Sequence, residues 1–179
     1  MSLIFEINDL PENEDWEFEV AEPAKSFALD PHEGVLTREV DVSGALVRSN
    51  QDFRASGRIR SQIQLFCSRC LEPFPFEIDS RFSCSYIPRP EENSLDSEVE
   101  LKAADIEIEF YEDNKIDLAQ MVYDQIMLSL PILRLCKEDC KGICPQCGNN
   151  LNKTHCDCDD GKDVDPRFAV LKSLKDKLK

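Results

Sequence analysis

Alternation of apolar and polar residues dominates the first two-thirds of the chain and predicts strands, because successive side chains in a strand point to opposite faces. Leu3, Phe5 and Ile7 mark the first, and Trp16, Phe18 and Val20, interleaved with Glu17 and Glu19, mark the second. The acidic stretch Pro11–Asp15 between them is a solvated loop. Pro23–Gly34 is turn-rich, with a short helical turn expected around Ser26–Asp30. Leu36, Val40, Val42 and Leu46 then share one parity and face a core, while Thr37, Glu39, Asp41 and Ser43 face water. After the connection Ser49–Asp52 comes a long strand from Phe53 to Phe66, with Ala55, Ile59, Ile63 and Leu65 on one face. Arg54, Arg58, Arg60, Gln62 and Gln64 occupy the other. Phe74, Phe76, Ile78, Phe82, Cys84 and Tyr86 also share a parity, and Ile106, Ile108 and Phe110 mark a last strand before the turn Glu112-Asp113-Asn114.

The period then changes to that of a helix, beginning at Asp117 and ending before Pro131. Asp117 with Gln120 forms a capping-box-like pair. Leu118, Met121, Val122, Ile126 and Leu130 make an apolar stripe, widened by Met127 and Leu128, suited to packing on the sheet or to a partner. A second helix is expected from Asp165-Pro166, with Phe168, Leu171, Leu174 and Leu178 on its apolar side and lysines toward its C-terminal end. One apolar parity per strand, with a helix to cover it, predicts an α+β fold: a curved antiparallel sheet or open barrel of about six strands carrying the 117–130 helix. Residues 1–135 form this body; residues 136–179 form a cysteine-rich, zinc-binding tail with the C-terminal helix. The segment 88–104, with two prolines and many acids, is expected to be a mobile excursion across the surface or an insertion between strands.

Composition narrows the function. The chain has 179 residues, 41% of them hydrophobic, enough for a real core. Its 21 basic and 36 acidic residues give a net charge of −15, which argues against coating nucleic acid by overall electrostatics. The acidity belongs to the body: residues 1–135 carry twelve basic against twenty-eight acidic groups, residues 136–179 nine against eight. The segment Met1–Glu6 has no basic region, acids interrupt every early apolar run, and no window reaches membrane-spanning length. A cytoplasmic protein without membrane attachment is expected.

Six of the nine cysteines fall between positions 136 and 158. Cys144-Pro145-Gln146-Cys147-Gly148 is a metal knuckle: thiolates at i and i+3 converge on one tetrahedral ion, and the glycine supplies a positive φ. Cys156 and Cys158 can complete a first Zn²⁺ site on Cys144, Cys147, Cys156 and Cys158. A second Zn²⁺ could join Cys67 and Cys70 to Cys136 and Cys140. The rival is one site drawn from Cys136, Cys140, Cys144 and Cys147. Cys84, among aromatics, is expected to be an inert buried thiol. Arg54, Arg58 and Arg60 form a positive stripe on an exposed sheet face, either paired with Glu39 and Asp41 or free to contact a partner.

With these residues together, the chain resembles the bacterial YceD family. The resemblance rests on Cys67-Ser68-Arg69-Cys70-Leu71-Glu72-Pro73, on Ile116-Asp117-Leu118 opening a helix that ends near Leu130-Pro131, on Cys140–Asn152, and on Asp165-Pro166-Arg167-Phe168-Ala169-Val170-Leu171. It implies a non-enzymatic cytosolic protein tied to accumulation of the large-subunit (23S) ribosomal RNA, with zinc stabilising a variable appendage. The partner would be ribosomal RNA or a basic large-subunit ribosomal protein, with no small-molecule substrate. A zinc-dependent enzyme is the contrasting reading, and a thiol redox or metal-buffering protein a third. Catalytic zinc needs an open coordination position and a general base, whereas this chain offers all-cysteine sites and only His32 and His155.

Overall fold

A computed structural model describes residues 3–10, 14–89 and 108–158. The expected C-terminal helix and most of the 88–104 excursion lie outside them. Two compact units divide the chain: one comprises Met1–Phe66 and Pro73–Arg134, the other Cys67–Glu72 and the residues from Leu135 onward.

In the first unit the strands are β1 (Ile4–Glu6), β2 (Asp15–Glu22), β3 (Val35–Leu36), β4 (Val40–Ser49), β5 (Asp52–Phe66), β6 (Pro73–Pro88), β7 (Ile108–Tyr111) and β8 (Lys115–Asp117), followed by helix α1 (Ala119–Ser129). Strands pair in the order β2-β4-β5-β6-β7, with β3 also on β5, while β1 and β8 form a separate ribbon. All pairs are antiparallel except β6 with β7, which corrects the expectation of a wholly antiparallel sheet. A parallel pair needs a long crossover, and residues 89–107 provide its length. The helical turn expected at Ser26–Asp30 forms earlier, at Ala24–Ser26, where Pro23 holds φ at −58° and its carbonyl accepts the Ser26 amide.

Parity decides the core. Ala55, Ile59, Ile63 and Leu65 of β5 are fully buried with Val40 and Val42 of β4, while Arg54, Arg60 and Gln64 are exposed. Phe5 of the ribbon packs on Trp16 and Phe18 with ring centroids 5.3 and 5.0 Å away. Strands β4 and β5 pass unusually close where Gly44 faces Gly57: a Cβ on either would lie 2.3 or 2.2 Å from the opposite strand's carbonyl oxygen.

Helix α1 buries Met121, Val122 and Ile126 and packs against β5 and β6. Leu128, assigned to its apolar stripe, is instead 77% exposed. The helix starts two residues later than expected. Asp117 still accepts the Ala119 amide at 2.8 Å, but Gln120 does not reach back and donates to Asp124. Cys84 is buried in the core, as its parity indicates.

Candidate metal centres and sheet face

The second unit is built from two knuckles that repeat one design. In the first, Cys67 and Cys70 flank a turn, and the Leu71 amide donates to the Cys67 carbonyl at 2.9 Å. In the second, Gly148 donates to the Cys144 carbonyl, also at 2.9 Å. Gly148 has φ +73° there, as its place after the second cysteine predicts. The segment between Cys147 and Cys156 doubles back through an Ile143–Asn150 bridge and a hydrogen bond from the Leu151 amide to the Gly142 carbonyl.

These turns bring together two quartets, Cys67, Cys70, Cys136 and Cys140, and Cys144, Cys147, Cys156 and Cys158. In each, all four sulfurs lie within 4.8 Å of one another. Within the first, Cys67 and Cys140 Sγ are 3.7 Å apart and Cys70 and Cys136 Sγ 3.6 Å. Thiolates about 2.3 Å from a tetrahedral ion lie about 3.8 Å apart, so the spacing fits ligands of one metal and far exceeds a disulfide bond. The rival set of Cys136, Cys140, Cys144 and Cys147 is not a quartet of this geometry among the described residues.

Electrostatics agree with the spacing. Burial opposes ionisation of Cys67, yet the amides of Cys136, Cys70 and Arg69 outweigh it and bring its thiol down to about 6. Burial and the neighbouring thiols push Cys136 up to about 12. In the second quartet the Cys147 and Gln146 amides bring Cys144 down to about 7, while Cys147 and then burial push Cys158 up to about 12. Four thiols this close cannot all ionise unless a dication neutralises them. Both donor sets therefore fit a thiophilic divalent ion.

The surroundings of the two quartets differ. Cys67, Cys70 and Cys140 are buried, and Asn152 Nδ2 donates to Cys140 Sγ at 3.3 Å. Arg69 donates to the Cys140 carbonyl at 2.9 Å, and the Glu72 carboxylate accepts from Lys153 at 2.8 Å and from Asn150 at 3.3 Å. The sequence marks Arg69, Glu72, Asn150 and Asn152 only as members of the motifs that carry the family resemblance, and it predicts no supporting role for them. In the second quartet Cys144 is buried but Cys147 is exposed.

On the first unit's sheet, Arg54, Arg58 and Arg60 share the solvent face as expected. Arg58 faces Arg81 of β6 and makes a bidentate ion pair with Asp79, so its partner is not Glu39 or Asp41. Arg60 lies between Asp41 and Asp79 in register, and Arg54 donates to Ser83 at 3.4 Å. Ser43, Ala45, Gly57, Arg58 and Arg81 border an open depression of about 690 Å³ whose far wall holds Glu17 and Glu19. Among the described residues no helix is long and apolar enough to cross a membrane.

Fold and site together define an α+β protein, mostly sheet, with two all-cysteine quartets that could hold a metal ion. Residues 55–175 match the family described as large ribosomal RNA subunit accumulation protein YceD. The chain belongs to the YceD family. It is 29% identical over 159 residues to the Arabidopsis thaliana large ribosomal RNA subunit accumulation protein YCED homolog 1, chloroplastic, covering 78% of this chain and 49% of that one. The Zea mays protein of the same name is 31% identical over 139 residues, covering 65% and 47%. The chain thus spans about half the length of these plant relatives. Bacillus subtilis YlbN, an uncharacterized protein, is 29% identical over 168 residues, covering 85% of this chain and 90% of its own. No solved structure matches.

Proposed function

We propose that the protein is a non-enzymatic, cytoplasmic binding factor that supports accumulation of 23S ribosomal RNA by holding a basic large-subunit ribosomal protein. Kinship with proteins named for large-subunit RNA accumulation supplies the setting. The observation that carries the choice of partner is charge: twenty-eight acidic against twelve basic groups in residues 1–135. Such a surface attracts a basic protein and repels a phosphate backbone. Two structural Zn²⁺ ions, one in each cysteine quartet, would hold the second unit folded. A closed set of four thiolates leaves no position for substrate, which supports a structural rather than catalytic role and weighs against a zinc-dependent enzyme.

A second reading, direct RNA contact, is favoured by Arg54, Arg58 and Arg60 together with Arg81 facing Arg58 on one exposed surface. Cross-linking in cells, followed by sequencing of bound RNA and mass spectrometry of bound proteins, tests both. Recovery of a large-subunit ribosomal protein is expected. Recovery of ribosomal RNA alone would favour the arginine face, and recovery of neither would overturn the proposal.

A further inference from the structure

Strands β7 and β8 leave the turn at Asp113 and Asn114 as a hairpin that opens instead of zipping. Only Glu112 and Lys115 bridge its base. Beyond them β7 joins β6 and β8 joins β1, so the two strands diverge. Strand β7 ends the order of its sheet, and its outer edge has no strand partner among the described residues. A cleft of about 400 Å³ lies here, between the edge of one sheet and the separate ribbon.

Its wall carries four carboxylates, from Glu109, Glu112, Asp113 and Asp117, against the cations Arg89 and Lys115. Both cations have carboxylate partners, Arg89 with Glu112 at 2.6 Å and Lys115 with Glu6 at 3.3 Å. Ile4 and Phe110 line the same cleft and are 45% and 48% exposed, a large apolar exposure for residues in paired strands. Tyr86, also in the lining, is only 3% exposed, and its hydroxyl is enclosed by protein. The Cys84 thiol is its near neighbour, a weak acceptor. Burial first, then Cys84, Glu109 and Asp117, holds the hydroxyl proton in place, so the group remains a donor.

We propose that this cleft takes an extended, lysine- or arginine-rich segment of a partner protein, added as a strand along the outer edge of β7. An edge strand supplies main-chain donors and acceptors to a peptide, and flanking side chains select its sequence. Carboxylates here select cations, and Phe110 and Ile4 receive alternate apolar side chains. RNA does not suit the site, since the carboxylates oppose phosphate. The chain's own residues 90–107 suit it no better in charge, with seven acids and one lysine. This inference rests on the reading that the partner is a basic protein and locates where it is held.

The test uses the full, reduced, zinc-loaded chain and a fluorescent peptide of alternating lysine and leucine, about eight residues long to match a strand. Anisotropy should show binding that weakens with salt. Glu109→Lys should weaken it at least about tenfold, and a peptide with proline at alternate positions should bind far less well. Glu109 is exposed, so Glu109→Lys should leave the melting temperature nearly unchanged while peptide affinity falls. Equal binding by wild type and Glu109→Lys overturns the inference. So does failure of the peptide to bind, the result expected if a second copy or the chain's own C-terminal residues filled the cleft. A single-stranded RNA oligonucleotide whose binding is lost on Phe110→Ala overturns it too. A final arm uses purified large-subunit ribosomal proteins. If they bind wild type and Glu109→Lys equally, the cleft is excluded and the functional reading stands; if none binds either protein, both fall.

Discussion

Leu71 and Gly148 occupy the same position in two versions of one knuckle. Each follows the second cysteine of a C-x₂-C pair, each donates its amide to the first cysteine's carbonyl at 2.9 Å, and each has a positive φ, +60° and +73°. Glycine adopts this conformation without penalty, whereas a residue with a Cβ is strained by about 1–2 kcal/mol. The first knuckle therefore holds a strained leucine where the second holds a relaxed glycine.

Leu71→Gly should accordingly stabilise the second unit by about 0.5–1 kcal/mol, because the side chain removed is 63% exposed and packs little. Gly148→Ala should cost about 1 kcal/mol, and for backbone reasons alone, since a Cβ there would meet nothing within 4 Å. Denaturant titration of the two variants, both zinc-loaded, checks the opposite signs.

Zinc stoichiometry on reduced protein should be two per chain. Cys67→Ser and Cys156→Ser should each lower it to one, since they break different quartets. Full zinc content in Cys156→Ser would remove Cys156 from the ligand set; full content in Cys67→Ser would do the same for the other quartet.

The close crossing of β4 and β5 sets a third expectation. Gly57→Ala places a Cβ 2.2 Å from the Ser43 carbonyl oxygen and 2.9 Å from the Phe82 ring. Backbone on one side cannot yield as a flexible side chain would. A loss of about 1–3 kcal/mol is expected in equilibrium unfolding.

Arg58 hydrogen-bonds Asp79 and, with its charge, holds the Asp79 carboxyl below the usual carboxylate range. A carboxyl whose folded value is depressed adds stability above its unfolded value, near 4, and loses it as pH falls through the folded value. Wild type should therefore lose slightly more stability than Asp79→Asn on acidification below about pH 4. Both groups are substantially exposed, 40% and 47%, so the difference should be small and should shrink with salt. Equal acid profiles would show that the pair does not persist in solution.

Replacement of Arg54, Arg58 and Arg60 together by glutamine should change the melting temperature little, because these side chains lie on the solvent face and exposed ion pairs contribute little each. Salt-sensitive loss of partner binding is the outcome expected if the face contacts RNA. Unchanged binding would show it to be a solvated surface only.

Local sequence determined which face of each strand is buried. Side chains alternate with a period of two whatever the strand pairs with, so Ala55, Ile59 and Ile63 could be assigned inward before any pairing was known. It also determined the Cys144–Gly148 knuckle, whose turn depends on five consecutive residues. Tertiary structure alone decided what depends on register or on distant chain. Arg58 meets Asp79 instead of Asp41 because the acid that answers an arginine is set by how β5 aligns with β6. Cys67 meets Cys140, 73 residues away, because the fold returns the chain to that loop. The parallel placing of β7, and the cleft it opens against β8, depend on where a strand finds a free edge. Two strands joined by a three-residue turn would be expected to zip together. Here each forms more backbone hydrogen bonds with a different neighbour, and no local pattern in the sequence encodes that competition.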